Sequence, residues 1–160
     1  MNYFDVTNAG FTLRVYYEEK LGVVTITDVR LQSQVYGGTW FPGGTIRVND
    51  IPVLTMSYNA PATHSFYFFS IGEDFVQSSP KVSGSSEKIL ANKATLSVDV
   101  TLYRNSNTDK IKLSGSVTID LSAGVVYIGR KAYMPHIFNG ESWVAYGAYK
   151  GNGATFDMFS

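Results

Sequence analysis

The alternation of apolar and polar residues between Ala94 and Ser122 constrains this chain more than any other feature. Ala94, Leu96, Val98, Val100 and Leu102 fall on one parity, and Thr95, Ser97, Asp99, Thr101 and Tyr103 on the other. Successive side chains of a strand point to opposite faces, so this segment is a strand with one buried face. A polar turn, Asn105-Ser106-Asn107-Thr108-Asp109-Lys110, follows, and Leu113, Gly115, Val117, Ile119 and Leu121 then resume the period. The two segments predict a hairpin buried on one side. No part of the chain sustains an apolar repeat at helical spacing, so residues up to Ser122 read as about eight strands in an all-β, antiparallel β-sandwich.

Earlier segments fit this frame. Residues 11 to 17 predict a first strand, with Glu18-Glu19-Lys20 as a charged turn. Val23 to Ser33 predicts a long strand with Val23, Thr25, Thr27, Val29 and Leu31 facing inward and a crossover near Val24 and Ile26. In Tyr36 to Met56, the pairs Gly37-Gly38 and Gly43-Gly44 bracket Thr39-Trp40-Phe41-Pro42, which predicts an aromatic wedge held between turns. From Thr45 to Met56 the pattern is a hairpin with an Asn49-Asp50 tip. His64 to Ile71 predicts an aromatic strand, and Gln77 to Asn92 an irregular loop.

The composition changes after Ser122, dividing the chain into a sandwich domain, 1-122, and an aromatic-rich tail, 123-160. Within that tail, Val125 to Ile128, His136 to Phe138, Ser142 to Tyr146 and Ala154 to Met158 suit small hairpins, and Asn139-Gly140 favours a two-residue turn.

Charge narrows the function classes. Lys plus Arg and Asp plus Glu are both 13, so no long-range field steers the chain to nucleic acid. Charged residues make up 16%, against roughly 25% in ordinary soluble domains. So few charges at zero net charge favour association, and a homo-oligomer is expected. Without cysteine there is no disulfide framework, thiolate nucleophile or Cys-ligated zinc. No window approaches the roughly 20 apolar residues that span a bilayer, and no secretory signal opens the sequence, so membrane insertion is not expected and synthesis is cytoplasmic.

Two aromatic groups are the candidate ligand or interface residues. Tyr36, Trp40 and Phe41 either stack on a sugar ring or plug the end of the sandwich or a subunit contact. Tyr133, Trp143, Tyr146 and Tyr149 either pack the tail hairpins or touch a host glycan. Catalysis has no constellation: His64 and His136 stand apart, without a neighbouring acid or nucleophile pattern, and read as structural. Asn49-Asp50 and Asn105 to Asp109 offer oxygens for calcium but fit turn chemistry as well, so no metal or cofactor is assigned.

Gly37 to Asn49, with Pro61-Ala62-Thr63-His64 and Val100-Thr101-Leu102-Tyr103-Arg104-Asn105-Ser106, resembles β-sandwich modules in bacteriophage tail-associated proteins. Pro135 to Tyr146 is similar to the short aromatic hairpin units that end phage virion proteins, with a weaker echo at Tyr149-Lys150-Gly151-Asn152-Gly153. The resemblance implies an immunoglobulin-like or jelly-roll-like sandwich with a C-terminal β-hairpin extension. It also implies a non-enzymatic virion protein of the tail, acting in assembly or host attachment beside other virion proteins. The alternative function is a carbohydrate-binding module that recognises a cell-surface glycan through exposed aromatics.

Overall fold

The computed structural model describes residues 1–59, 61–104 and 109–122, together with the backbone of strands 126–128, 131–134, 136–138, 143–145 and 156–158. The strands are β1 (Asn2–Asn8), β2 (Phe11–Lys20), β3 (Val23–Ser33), β4 (Gly38–Val48), β5 (Ile51–Met56), β6 (Phe66–Phe68), β7 (Val76–Gln77), β8 (Gly84–Ser85), β9 (Lys93–Tyr103) and β10 (Lys110–Asp120). They are followed by β11 (Val126–Ile128), β12 (Lys131–Met134), β13 (His136–Phe138), β14 (Trp143–Ala145) and β15 (Phe156–Met158). No helix occurs among the described residues, and the fold is the expected antiparallel β-sandwich.

One sheet runs β1-β2-β3-β7, with β8 also on β3; the other runs β10-β9-β4-β5, with β6 also on β4. Their inner faces supply the core. Phe11, Leu13 and Val15 of β2 are fully buried, as are Ile46 of β4 and Leu96, Val100 and Leu102 of β9. Each such side chain contributes about 1.5–3 kcal/mol by leaving water. The two sheets approach closely at Gly115 of β10, where a Cβ would stand 3.3 Å from Val6 and 3.4 Å from Phe4 of β1. Asn8 Nδ2 also donates to the Lys112 carbonyl at 2.8 Å.

The chain divides into two compact units. The first comprises Met1–Glu18, Thr25–Ser85 and Thr95–Val117, and the second Glu19–Val24, Ser86–Ala94 and Thr118–Ser160. Within the second, Glu19 Oε1 accepts from the Gly22 N–H at 2.9 Å and the Ser122 hydroxyl at 3.0 Å. The Ser122 oxygen in turn accepts from the Leu21 N–H at 3.0 Å. This unit also holds the antiparallel pair β13–β14, with Phe138 opposite Trp143, and a three-stranded sheet in which β15 pairs in parallel with β12. The expected Asn139-Gly140 turn lies outside the described residues.

The alternation of Ala94 to Leu102 holds throughout β9, whose apolar set is buried at every position. Five other expectations are corrected. Residues 2–8, not read as a strand, form β1 and pair with β2 from Asn2↔Tyr17 to Asn8↔Phe11. Glu18, Glu19 and Lys20 end β2 rather than making the turn, which lies at Leu21-Gly22, both at positive φ. On β3 the inward residues are Val24, Ile26 and Asp28 and then, after a change of parity, Val29, Leu31 and Ser33; Val23, Thr25 and Thr27 are half-buried. Asp28 is tolerated inside because its Oδ2 accepts from Arg30 Nε at 2.8 Å and Gln77 Nε2 at 2.9 Å. That bond holds the Arg30 guanidinium above its usual range. The aromatic strand near His64 shortens to β6, the length that pairs with Gly38–Trp40.

The fifth correction concerns the wedge. Residues 38–48 are one continuous strand with no turn at Gly43-Gly44, because three partners hold it: β6 along residues 38–40, β9 along 41–48 and β5 along 44–48. Pro42, which has no N–H to donate, is buried opposite Leu102. The β4–β5 hairpin forms as expected, with Asn49 and Asp50 both at positive φ, 50° and 65°. Asn49 is committed, since its Oδ1 accepts from the Thr95 N–H at 2.9 Å. Asp50 is exposed and occupies the position where a two-residue turn of this type prefers glycine. Asp50→Gly is therefore expected to stabilise the fold by about 0.5 kcal/mol, seen as a higher denaturation midpoint with unchanged slope.

Candidate functional site

Tyr36 and Trp40 are brought together by a tied turn and a short strand pairing. The Ser33 hydroxyl accepts from the Tyr36 N–H at 3.0 Å, and the Ser33 carbonyl accepts from the Gly72 N–H at 2.9 Å. Pairing of Gly38–Trp40 with β6 then turns the indole into the sandwich, where Trp40 is 2% exposed. Its ring meets Phe11 edge-on at 4.8 Å between centroids, and Tyr36 lies 6.0 Å away. The Arg104 guanidinium sits 5.7 Å from both the Tyr36 and Trp40 rings, within range of a cation–π contact. Beside it is a cavity of about 200 Å³ lined by Tyr36, Trp40, Arg104, Asp109, Lys110 and Ile111.

This geometry removes Trp40 from the set of sugar platforms, because a flat face that stacks on a pyranose must meet solvent. Its Nε1–H is buried with no hydrogen-bond partner among the described residues. Phe41 points the other way: parity sends Trp40 and Pro42 inward, while Phe41 is half-buried opposite Tyr103. Of the tail candidates, Tyr133 lies on β12 opposite Val126 and Trp143 on β14 opposite Phe138. Tyr146 and Tyr149 lie outside the described residues.

Two surface features escaped the sequence reading. The first is an exposed apolar row. Between the Gly38↔Phe68 pair and the Gly72–Ser33 hydrogen bond, two short segments run side by side. They present Val35 (40% exposed), Tyr36 (48%), Phe69 (85%) and Ile71 (58%) to solvent.

The second is a groove of about 430 Å³ on the outer face of the β4–β9 pair. Register sets Gly43 opposite Thr101 and Thr45 opposite Asp99. Tyr58 and Tyr103 stack over Gly43, their centroids 3.5 Å apart and their planes 15° from parallel. Arg47, Asn59, Asp99 and Thr101 complete the walls. Lys112 Nζ approaches Asp99 Oδ1 at 3.7 Å, an exposed and weak pair. Arg47 has no ion-pair partner among the described residues.

Neither feature has the layout of a catalytic centre. His64 Nδ1 lies 3.2 Å from the Pro80 carbonyl, a structural contact. No cluster of three or more His, Asp or Glu suited to a metal occurs among the described residues, and the Asn49-Asp50 candidate is spent on its turn. No helix among the described residues is long and apolar enough to cross a membrane. No protein-family model matches the chain, and no curated protein or solved structure matches it.

Proposed function

We propose that this chain is a non-enzymatic assembly protein of the phage virion type its sequence resembles, and that it associates with copies of itself through the apolar row of Val35, Tyr36, Phe69 and Ile71. The row is the observation that carries the reading. Single exposed apolar residues are ordinary, but here Val35 and Tyr36 on one segment and Phe69 and Ile71 on the segment beside it are all exposed, Phe69 at 85%, and apolar surface of this kind is what a partner covers. Zero net charge removes the repulsion that keeps copies apart. Burial of Trp40 supports assembly over the sugar-binding alternative built on that residue.

The test is the mass of the full chain by light scattering. The unmutated chain is expected as a defined multiple of the monomer. Phe69→Ser with Ile71→Ser is expected to lower that mass while moving stability by no more than about 0.5 kcal/mol per site, since both side chains are exposed. A monomeric unmutated chain overturns the reading, as does a double variant of unchanged mass.

A further inference from the structure

We infer that the groove over Gly43, walled by Tyr58 and Tyr103, binds a neutral saccharide chain. This goes beyond the assembly role proposed above and stands on its own geometry. Loss of binding leaves self-association intact, and the reverse also holds.

Shape comes first. At about 430 Å³ the groove falls within the range of small-ligand sites, roughly 300–1,000 Å³. It lies along a sheet face, so it suits an extended chain passing across rather than a molecule enclosed. The absence of a side chain at Gly43 makes the room: a Cβ there would stand 2.7 Å from Tyr58 Cδ1 and 3.4 Å from Tyr103 Cε2. Any other residue would push the aromatic wall away.

Chemistry selects the ligand. A pyranose ring is apolar on its C–H faces and carries hydroxyl groups around its edge. It calls for an aromatic surface beside side chains that donate and accept in pairs. Tyr58 and Tyr103 supply the surface, already ordered by stacking on each other, so little side-chain entropy is lost on binding. The Arg47 fork donates two parallel bonds, the Asp99 carboxylate accepts two, and Asn59 does both, a set that fits vicinal hydroxyls. Lys112 pairs weakly with Asp99, at 3.7 Å, while Arg47 stands opposite Ser97. One of the two cations is therefore partly balanced, and they lie on separate strands, without the row of positive charge that a phosphate backbone requires.

Of the aromatics that the sequence offers for sugar stacking, Trp40 is buried; the groove adds another pair, Tyr58 and Tyr103, on the outer face of the β4–β9 pair. The experiment is binding of the full-length chain to an array of neutral oligosaccharides built from hexose and N-acetylhexosamine units, with sulfated and phosphorylated oligosaccharides alongside. The unmutated chain is expected to bind at least one neutral member. Tyr58→Ala and Arg47→Ala are each expected to weaken that binding about tenfold or more, while Tyr58→Phe, which keeps the ring, retains it. Thr101→Trp fills the groove without removing any of its walls and is expected to abolish binding, with the unfolding midpoint showing that the sandwich persists. The inference is overturned if the unmutated chain binds no neutral oligosaccharide, if it binds only the charged ones, or if binding survives both Tyr58→Ala and Thr101→Trp.

Discussion

Trp40→Ala is expected to destabilise the fold by about 3–5 kcal/mol, the cost of emptying a large aromatic site in a close-packed core. The indole is 2% exposed and touches Phe11, itself fully buried, so its removal strips packing from the core between the sheets. Domains of this size are stable by only about 5–15 kcal/mol, so the loss is a large share of the total. Trp40→Phe is expected to cost far less, under about 1.5 kcal/mol. It keeps most of the apolar volume and discards an N–H that is buried without a partner among the described residues, a group whose lost hydration penalises the native state. Urea denaturation of both variants, with the slopes compared, checks the ordering. An unchanged midpoint for Trp40→Ala would place the ring at the surface and return it to the list of ligand platforms.

How much of this was legible in the sequence depended on whether a strand has one wet face. β9 was readable because its inner and outer residues differ sharply, Leu96 to Leu102 against Thr95 to Tyr103. β1 was not: it lies at the edge of its sheet and buries only Val6, so Tyr3, Asp5 and Thr7 give no alternation to detect. Its place is fixed instead by pairing and by Arg14 of β2. That guanidinium binds Asp5 through two bonds of 2.7 Å, which raise its pKa above the usual range, and lies 4.0 Å over the Tyr3 ring. Aromatic–cation geometry of this kind has no one-dimensional signature.

The surface sites show the same division. The outer parity of β9 already put Asp99, Thr101 and Tyr103 on one face, which is half of the groove. The other half required the register of β4 against β9, because only pairing sets Gly43 opposite Thr101 and brings Tyr58 over it. Trp40 was singled out for its chemistry, yet chemistry alone does not say which way a strand residue points. One pairing, β6 on Gly38–Trp40, made it core rather than platform.

The two glycines that read in the sequence as a turn are expected to behave differently, and Gly44 is the one the fold depends on. Gly44→Ala is expected to cost about 3–5 kcal/mol and to lower the unfolding midpoint markedly. The backbone there has a φ of +135°, a region side chains avoid at a cost of roughly 1–3 kcal/mol. A Cβ would also stand 2.1 Å from the Asp99 carbonyl oxygen and 3.0 Å from Val100 Cα. Both are backbone atoms of β9, the strand to which Gly44 is paired, so relief requires parting the ladder, and overpacking of this kind adds about 1–3 kcal/mol. Gly43→Ala meets only the Tyr58 and Tyr103 rings, and Tyr58, half-buried beside the groove, can swing outward. That variant is expected to keep the fold and to lose saccharide binding. Thermal unfolding of the two alanine variants, side by side with the binding assay, separates these roles: equal midpoints would mean that the strand yields at Gly44 and that its close approach to β9 does not limit stability.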